Sequence, residues 1–301
     1  MAALFNLFKT TKRMVWWLLD RCFGLARADV VNAKLVLLTH ARWHLAGRGR
    51  PHRLPAPLIV SLTSYPARFA TLTLTLRTLL RQTVRADHTV LWIAHADLPL
   101  LPRSVLVLQR HGLEIRATDD WKSYNKILPT LDAFPDAFVC TADDDICYWP
   151  TWLAELCDGV ELGDGADPAD RTVTCHRAHE ITRDAAGRYR PYREWHTDTA
   201  FRGISAKLFP TGVGGVLYPP RSLAHDAAAR RDAVELCPRA DDVWLYWVAS
   251  RNGAKFKTVG MHRTVVCWIG TQERGIWHDN LMQGGNDVQI RRLEEKYGYP
   301  A

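Results

Sequence analysis

The sequence predicts an α/β protein: an open, mostly parallel sheet with helices on both faces, preceded by an N-terminal amphipathic helix. Three observations predict it. Short apolar, β-branched runs alternate with stretches whose apolar residues recur at helical spacing. A stretch rich in Gly, Pro and Arg, residues 47–57, separates a basic N-terminal region from the alternating part. Three consecutive aspartates, Asp143, Asp144 and Asp145, follow directly on one of the apolar runs. In open sheets of this kind the strand ends are where ligands sit.

The elements follow in chain order. Leu4, Phe5, Phe8, Val15, Leu18, Leu19 and Cys22 recur at helical spacing, with Lys9, Lys12, Arg13, Arg21 and Arg27 around them. The longest apolar run there, residues 14–19, is far short of the ~20 residues a bilayer span needs. It also lacks the apolar length and small-residue cleavage site of a signal peptide. The pattern fits a basic helix lying in a membrane interface and a helix packed on the main domain equally well. Residues 1–50 are read as an N-terminal helical segment open to membrane association, and residues 56–301 as the main domain.

In that domain residues 58–63 and 89–93 read as apolar strands. Residues 69–82 contain TLTLTL, whose period of two would pass for a strand. Leu72, Leu76, Leu79 and Leu80 also share one helical face, and a helix there completes a β-α-β crossover between parallel strands. Residues 102–110 read as a helix, 113–116 as a strand, 124–131 as a helix and 137–141 as a strand. Further on, Val243, Trp244, Trp247 and Val248 mark a helix opened by Asp241 as its N-cap. His176 and His179 fit one alternating strand with rings on different faces, which is no metal pair.

Composition sets bounds on this reading. The 301 residues are 47% hydrophobic and 24% charged, ordinary globular material. A net charge of +7 and a pI near 9.1 suit an anionic partner: a nucleotide sugar, a nucleic acid or an anionic membrane face. The seven cysteines form no CxxC pair and several lie inside apolar runs, so they read as buried thiols of a reducing cytoplasm.

Three adjacent carboxylates at the end of a buried strand repel one another and are costly to desolvate. They are tolerable if water reaches them freely or if a cation sits among them. Hard oxygen donors suit Mg²⁺ or Mn²⁺, held by one or two carboxylates together with phosphate oxygens.

Several ordered motifs carry a resemblance. They are VSLTSYPAR (60–68), TLLRQT (78–83), LWIAHADLP (91–99), KSYNKILPTL (122–131), TADDDICY (141–148), GVGGVLYPP (212–220) and ADDVWLYW (240–247). In this order, from about Pro57 to the end, the chain resembles glycosyltransferases of the GT-A fold, close to bacterial family 2-like enzymes. The resemblance implies that Thr63, Tyr65 and Arg68 cradle a nucleoside and that Asp97 contacts base or ribose. It places Asp119, Lys122 and Lys126 along the nucleotide. The two lysines, one helical turn apart, would present two ammonium groups to phosphate, unless they are simply an exposed basic face. Asp143 and Asp145 match the DXD positions, facing the ribose and holding a Mn²⁺ or Mg²⁺ ion. Asp144 could share either role. His278 falls where some relatives place a third metal ligand.

Gly212, Gly214 and Gly215 permit unusual backbone angles or close ligand approach, and Gly214 and Gly215 are assigned to the donor site. Asp242 occupies the place of the base in the Glu-Asp motif of inverting members, with Asp241 beside it; here the pair is Asp-Asp. A helix cap is the plain alternative for both. Trp195, Trp244, Trp268 and Trp277 are the tryptophans expected to offer flat faces to a sugar ring. The expected partners are a nucleotide-diphosphate sugar donor, a glycan or lipid-linked acceptor and an anionic membrane surface, not nucleic acid. The expected location is cytoplasmic, peripheral on the inner face of the plasma membrane. A nucleotidyltransferase or Mg²⁺-dependent phosphohydrolase would also use clustered aspartates and lysines. A non-catalytic carbohydrate-binding protein would explain the charge and aromatics, but not carboxylates gathered at two element ends.

Overall fold

The computed structural model describes residues 27–160, 171–223, 227–271 and 285–300. The amphipathic pattern of residues 4–22, Trp277 and His278 lie outside the described residues. In chain order the strands are β1 (Arg50–Pro51), β2 (Leu58–Thr63), β3 (Val84–Arg85), β4 (His88–Ala94), β5 (Leu113–Thr118) and β6 (Phe138–Thr141). Then come β7 (Thr172–Cys175), β8 (Ala178–Glu180), β9 (Gly203–Ile204), β10 (Leu208–Pro210), β11 (Val216–Tyr218) and β12 (Lys255–Thr258). The helices are α1 (Arg27–Leu45), α2 (Phe69–Leu79), α3 (Arg103–Leu106), α4 (Leu128–Ala133), α5 (Trp152–Asp158), α6 (Ala227–Leu236), α7 (Asp241–Arg251) and α8 (Gly285–Tyr297).

The main sheet has the order β5-β4-β2-β6-β11-β7-β12-β9. Its first four strands are parallel. β11 runs antiparallel to both β6 and β7, β12 returns parallel to β7, and β9 closes the far edge antiparallel. The chain therefore builds outward from β2 through β4 to β5, then returns to the other side of β2 with β6. The strand order reverses between β2 and β6, and the crevice at such a switch point is where open α/β sheets bind ligands.

Local sequence explains these elements. β2 reads LIVSLT, an almost continuous apolar run, because both faces of a central parallel strand are covered. Leu58, Val60 and Leu62 pack with Leu72 and Leu76 of α2, whereas Ile59 packs with Val90 and Trp92 on the other face. TLTLTL is helical, as the crossover between parallel β2 and β4 requires. Its buried threonines are satisfied within that geometry: the Thr78 hydroxyl donates to the Thr75 carbonyl at 2.7 Å, and Thr75 donates to the Asp144 carbonyl at 2.8 Å.

Four elements differ from expectation. The helix expected over 102–110 is the short α3 continued by a 3₁₀ stretch, Val107–His111, ended at left-handed Gly112. The helix expected over 124–131 is two pieces, a 3₁₀ turn at Lys122–Lys126 and then α4, which has a proline in its first turn. The strand expected through both histidines is also two pieces. β7 belongs to the main sheet and β8 pairs with β10, and His176 lies between them. The expected strand at 113–116 runs on to Thr118.

Trp195, Trp244 and Trp268 are buried, so they are core rather than a sugar platform. Cys140, Cys157, Cys175 and Cys237 are buried free thiols. Helix α1 docks on the domain through buried Trp43, whose ring lies 4.0 Å from the Arg81 guanidinium carbon. Arg42 donates from Nε and Nη2 to the Arg81 carbonyl at 2.9 and 2.7 Å. Among the described residues no helix is long and apolar enough to cross a membrane.

Candidate active site

A cavity of about 720 Å³ opens at the switch point between β2 and β6. The sheet puts its two principal loops there. β2 ends at Thr63 and β6 at Thr141, in parallel register Ser61 opposite Thr141, and the Ala142 amide donates to the Ser61 carbonyl at 2.9 Å. The Ser64–Arg68 and Ala142–Asp145 segments thus leave the sheet side by side. β11 begins opposite the end of β6, Val216 against Thr141. That antiparallel pairing brings Gly212 and Val213 to the same mouth, and with them the first turn of α7.

Thr63, Tyr65, Arg68, Asp97, Lys122, Lys126, Asp143, Asp144, Asp145, Asp241 and Asp242 all line this cavity. Asp119, Gly214 and Gly215 do not. Asp120, its neighbour, takes the place expected of Asp119. The two glycines serve the fold. They have φ of +104° and +92°; the Gly214 carbonyl accepts the Trp152 indole N–H at 2.6 Å, and a Cβ on Gly215 would meet the Trp152 ring at 2.5 Å. Gly212 lines the site instead, and its amide donates to Asp242 Oδ1 at 2.8 Å.

Each aspartate of the triplet has its own partner. Asp143 Oδ1 accepts from Lys126 Nζ at 2.9 Å, Asp144 accepts from the Ser64 hydroxyl at 2.5 Å, and Asp145 pairs with the Arg68 guanidinium. The turn itself is held from behind. The Tyr148 hydroxyl accepts the Asp143 amide at 2.7 Å, and the Trp268 amide donates to the Asp145 carbonyl at 2.9 Å. Burial pushes the Asp144 carboxyl up to about 7, with Asp145 and Asp143 adding to it and the Ser64 hydrogen bond opposing. Burial also raises Asp145, with Asp143, against Arg68.

Lys126 departs from expectation. Its ammonium is buried and bridges Asp143 and Asp241, the latter at 3.0 Å. Burial works against its charge, but Asp143, Asp241 and Asp242 outweigh that and hold its pKa well above the usual lysine value. Lys122 takes a left-handed φ of 57° and pairs with Asp120 at the surface. The two lysines therefore do not present a common face, because the backbone between them is a 3₁₀ turn.

Asp241 is not the N-cap of α7. Ala240 holds that position, and Asp241 is the first helical residue, paired with Lys126. Asp242 is pushed up to about 7 by burial first and by adjacent Asp241 second, with Lys126 and the Gly212 amide opposing. A carboxylate with a pKa near neutrality is matched to accepting a proton there.

Ser64, Ser123, Asn125, Val213 and Arg239 also line the site and were not expected. Ser64 sits inside the quoted VSLTSYPAR motif, next to two residues that were expected, and its hydroxyl was the available signal. Asn125 Oδ1 accepts the Trp121 amide at 2.8 Å and so stabilises the turn before Lys126, a role no spacing announces.

The triplet fits a divalent cation. Its donors are hard oxygens, and burial raises Asp144 and Asp145, a cost to their charged forms that a cation would offset. Among the described residues no three His, Cys, Asp or Glu side chains converge on one point. A cation at Asp143 and Asp145 would accordingly share its coordination with phosphate oxygens and water.

No protein-family model matches the chain, and no curated protein matches it. Solved structures resemble it at a distance. 4-Diphosphocytidyl-2C-methyl-D-erythritol synthase from Anaerococcus prevotii is 12% identical, with 80% of this chain and 96% of that chain covered and a TM-score of 0.41. Inositol-1-phosphate CTP transferase from T. maritima is 9% identical over 83% and 98%, TM-score 0.36. Glucosyl-3-phosphoglycerate synthase from Mycobacterium tuberculosis, in a complex with Mn²⁺, UDP and glucosyl-3-phosphoglycerate, is 11% identical over 90% and 85%, TM-score 0.38. These neighbours are transferases of the nucleotidyl and glycosyl kind, and likeness this remote assigns the chain to no family.

Proposed function

We propose that this chain is a GT-A-type, metal-dependent glycosyltransferase of the family 2-like kind. It moves a sugar from a nucleotide-diphosphate sugar to a hydroxyl of a glycan or lipid-linked acceptor in surface polysaccharide synthesis, with inversion at the anomeric carbon. One observation carries the reading: in a single switch-point cavity, an aspartate triplet faces a second carboxylate pair across one buried lysine.

The two halves divide the work. Thr63, Tyr65, Arg68 and Asp97, on the loops after β2 and β4, take the nucleoside. Asp143 and Asp145 would hold Mn²⁺ or Mg²⁺, which supplies stabilisation of charge on the leaving diphosphate. Arg68 adds a planar cation suited to phosphate oxygens. On the acceptor side, Asp242 takes the proton from the acceptor hydroxyl as its oxygen bonds to the anomeric carbon. The bond from that carbon to the diphosphate oxygen breaks, and the nucleoside diphosphate leaves. The Gly212 amide orients Asp242 through Oδ1 and leaves the other oxygen for the proton. Asp241 is tied to Lys126, so Asp242 is the base.

Incubation with Mn²⁺, a panel of nucleotide sugars and hydroxyl acceptors tests the reading by what is released. Nucleoside diphosphate with an inverted glycosidic product supports it. Pyrophosphate release would assign nucleotidyl transfer instead, and binding without turnover would make the chain a carbohydrate- or nucleotide-binding protein.

A further inference from the structure

Helix α1 is apolar on two faces, and the described chain covers one of them. Thr39 and Trp43 are buried against the domain, on the side where Arg42 meets the Arg81 carbonyl. Val31, Leu37, Leu38 and Leu45 point away from it, 41%, 69%, 53% and 85% exposed. At about 100° per residue these four, with exposed Ala41, fall within roughly 120° of arc, a continuous stripe along the outer side of the helix. Single exposed apolar residues are ordinary on a protein surface, but an ordered stripe over a 19-residue helix is the pattern of a binding face.

The charges around the stripe identify its partner. Lys34 lies within it and is exposed, and His40 and His44 flank it. From residue 27 to residue 53 the basic side chains are Arg27, Lys34, Arg42, Arg48, Arg50 and Arg53, and the acidic side chain is Asp29 alone. Apolar residues on the outer face of a helix, bordered by cations and almost free of acids, match an interface of acyl chains beneath anionic headgroups. A protein partner would be expected to meet a mixture of charges at the rim.

We propose that the outer face of α1 docks the enzyme on an anionic lipid surface, with Val31, Leu37, Leu38 and Leu45 entering the headgroup boundary and Lys34 pairing with lipid phosphate. The pattern of residues 4–22 is not needed for this. The docked helix is fixed to the domain through Trp43 and Arg42, so it would hold the whole catalytic domain at the surface and not merely tether it. A lipid-linked acceptor would then meet the crevice in the plane of its own membrane.

Co-sedimentation of the full chain tests the proposal. The probes are vesicles of phosphatidylcholine alone and of phosphatidylcholine mixed with phosphatidylglycerol. The wild type should sediment with the mixed vesicles, less so as salt is raised, and weakly with the neutral ones. Leu37→Glu, Leu38→Glu and Leu45→Glu together should weaken that binding about tenfold or more, with thermal unfolding and nucleotide binding unchanged. Lys34→Glu with Leu45→Glu is the second variant, at two exposed positions, in case the triple one misfolds. A wild type that ignores anionic vesicles overturns the proposal. Undiminished binding by the folded variants also overturns it and places membrane contact elsewhere, for example in residues 1–26. A wild type that is dimeric in solution, does not bind vesicles and becomes monomeric in the variants would assign the stripe to a second copy of the chain.

Discussion

At the scale of the residue, the proposed chemistry turns on two side chains. Asp242 is half-buried beside buried Asp241, held by the Gly212 amide and raised to about 7. A base works only in its charged form, so turnover should rise with pH through about 7 and level off above it. Asp242→Asn should lower turnover by ~10²–10⁴ and remove that limb, with donor-nucleotide affinity almost unchanged, because the base acts on the acceptor. Stopped or steady-state rates across a pH series measure both effects. Wild-type turnover in the variant would move the base elsewhere. Arg68 is the second. Its guanidinium stands on Asp145, where a metal ion would bring the next positive charge. Arg68→Gln should therefore bind Mn²⁺ more tightly in the absence of nucleotide, measured by titration of the Mn²⁺ paramagnetic signal. The same variant should bind nucleoside diphosphate ~10-fold more weakly, having lost a charge-assisted contact. Unchanged Mn²⁺ affinity would show that the pair does not compete with metal.

At the scale of the element, the legible and illegible parts of the sequence separate on physical grounds. The strand ends were legible because a buried parallel strand is a nearly continuous apolar run, so Thr63 and Thr141 mark where the run stops and the ligand side begins. The geometry of Lys122 to Lys126 was not. Spacing of four assumes an α-helix, whereas a left-handed Lys122 and a 3₁₀ turn send one ammonium outward and the other inward. That inward lysine, not a pair on one face, joins the aspartate triplet to Asp241. The glycine-rich segment was legible as special backbone but not as to purpose: Gly212 faces Asp242, while Gly214 and Gly215 make room for Trp152. Gly215→Ala should cost about 2–4 kcal/mol of stability through a clash with the indole at a positive φ. The denaturant midpoint should fall, with nucleotide affinity per folded molecule unchanged. A loss of affinity at unchanged stability would return Gly215 to the donor site.

At the scale of the whole molecule, the site follows from the path of the chain. Building outward from β2 and returning with β6 opens a crevice, and antiparallel β11 delivers the Gly212 loop and α7 to its far wall. The parallel half was predictable from alternating strand and helix. The second half was not, since its strands are two to four residues long and leave little periodicity to read. The tryptophans went to the core for the same reason: the second half packs its own large cluster around Trp195, Trp244 and Trp247. The central claim, that the aspartate triplet binds a nucleoside diphosphate together with a divalent cation, is tested most directly by thermal unfolding with Mn²⁺ and nucleoside diphosphates, added singly and together. Added together, at a ligand concentration about 100 times its Kd, they should stabilise the fold by about 2.7 kcal/mol. Asp145→Asn should abolish that gain and Asp242→Asn should keep it. Equal stabilisation by nucleotide without metal, or in Asp145→Asn, would contradict the account.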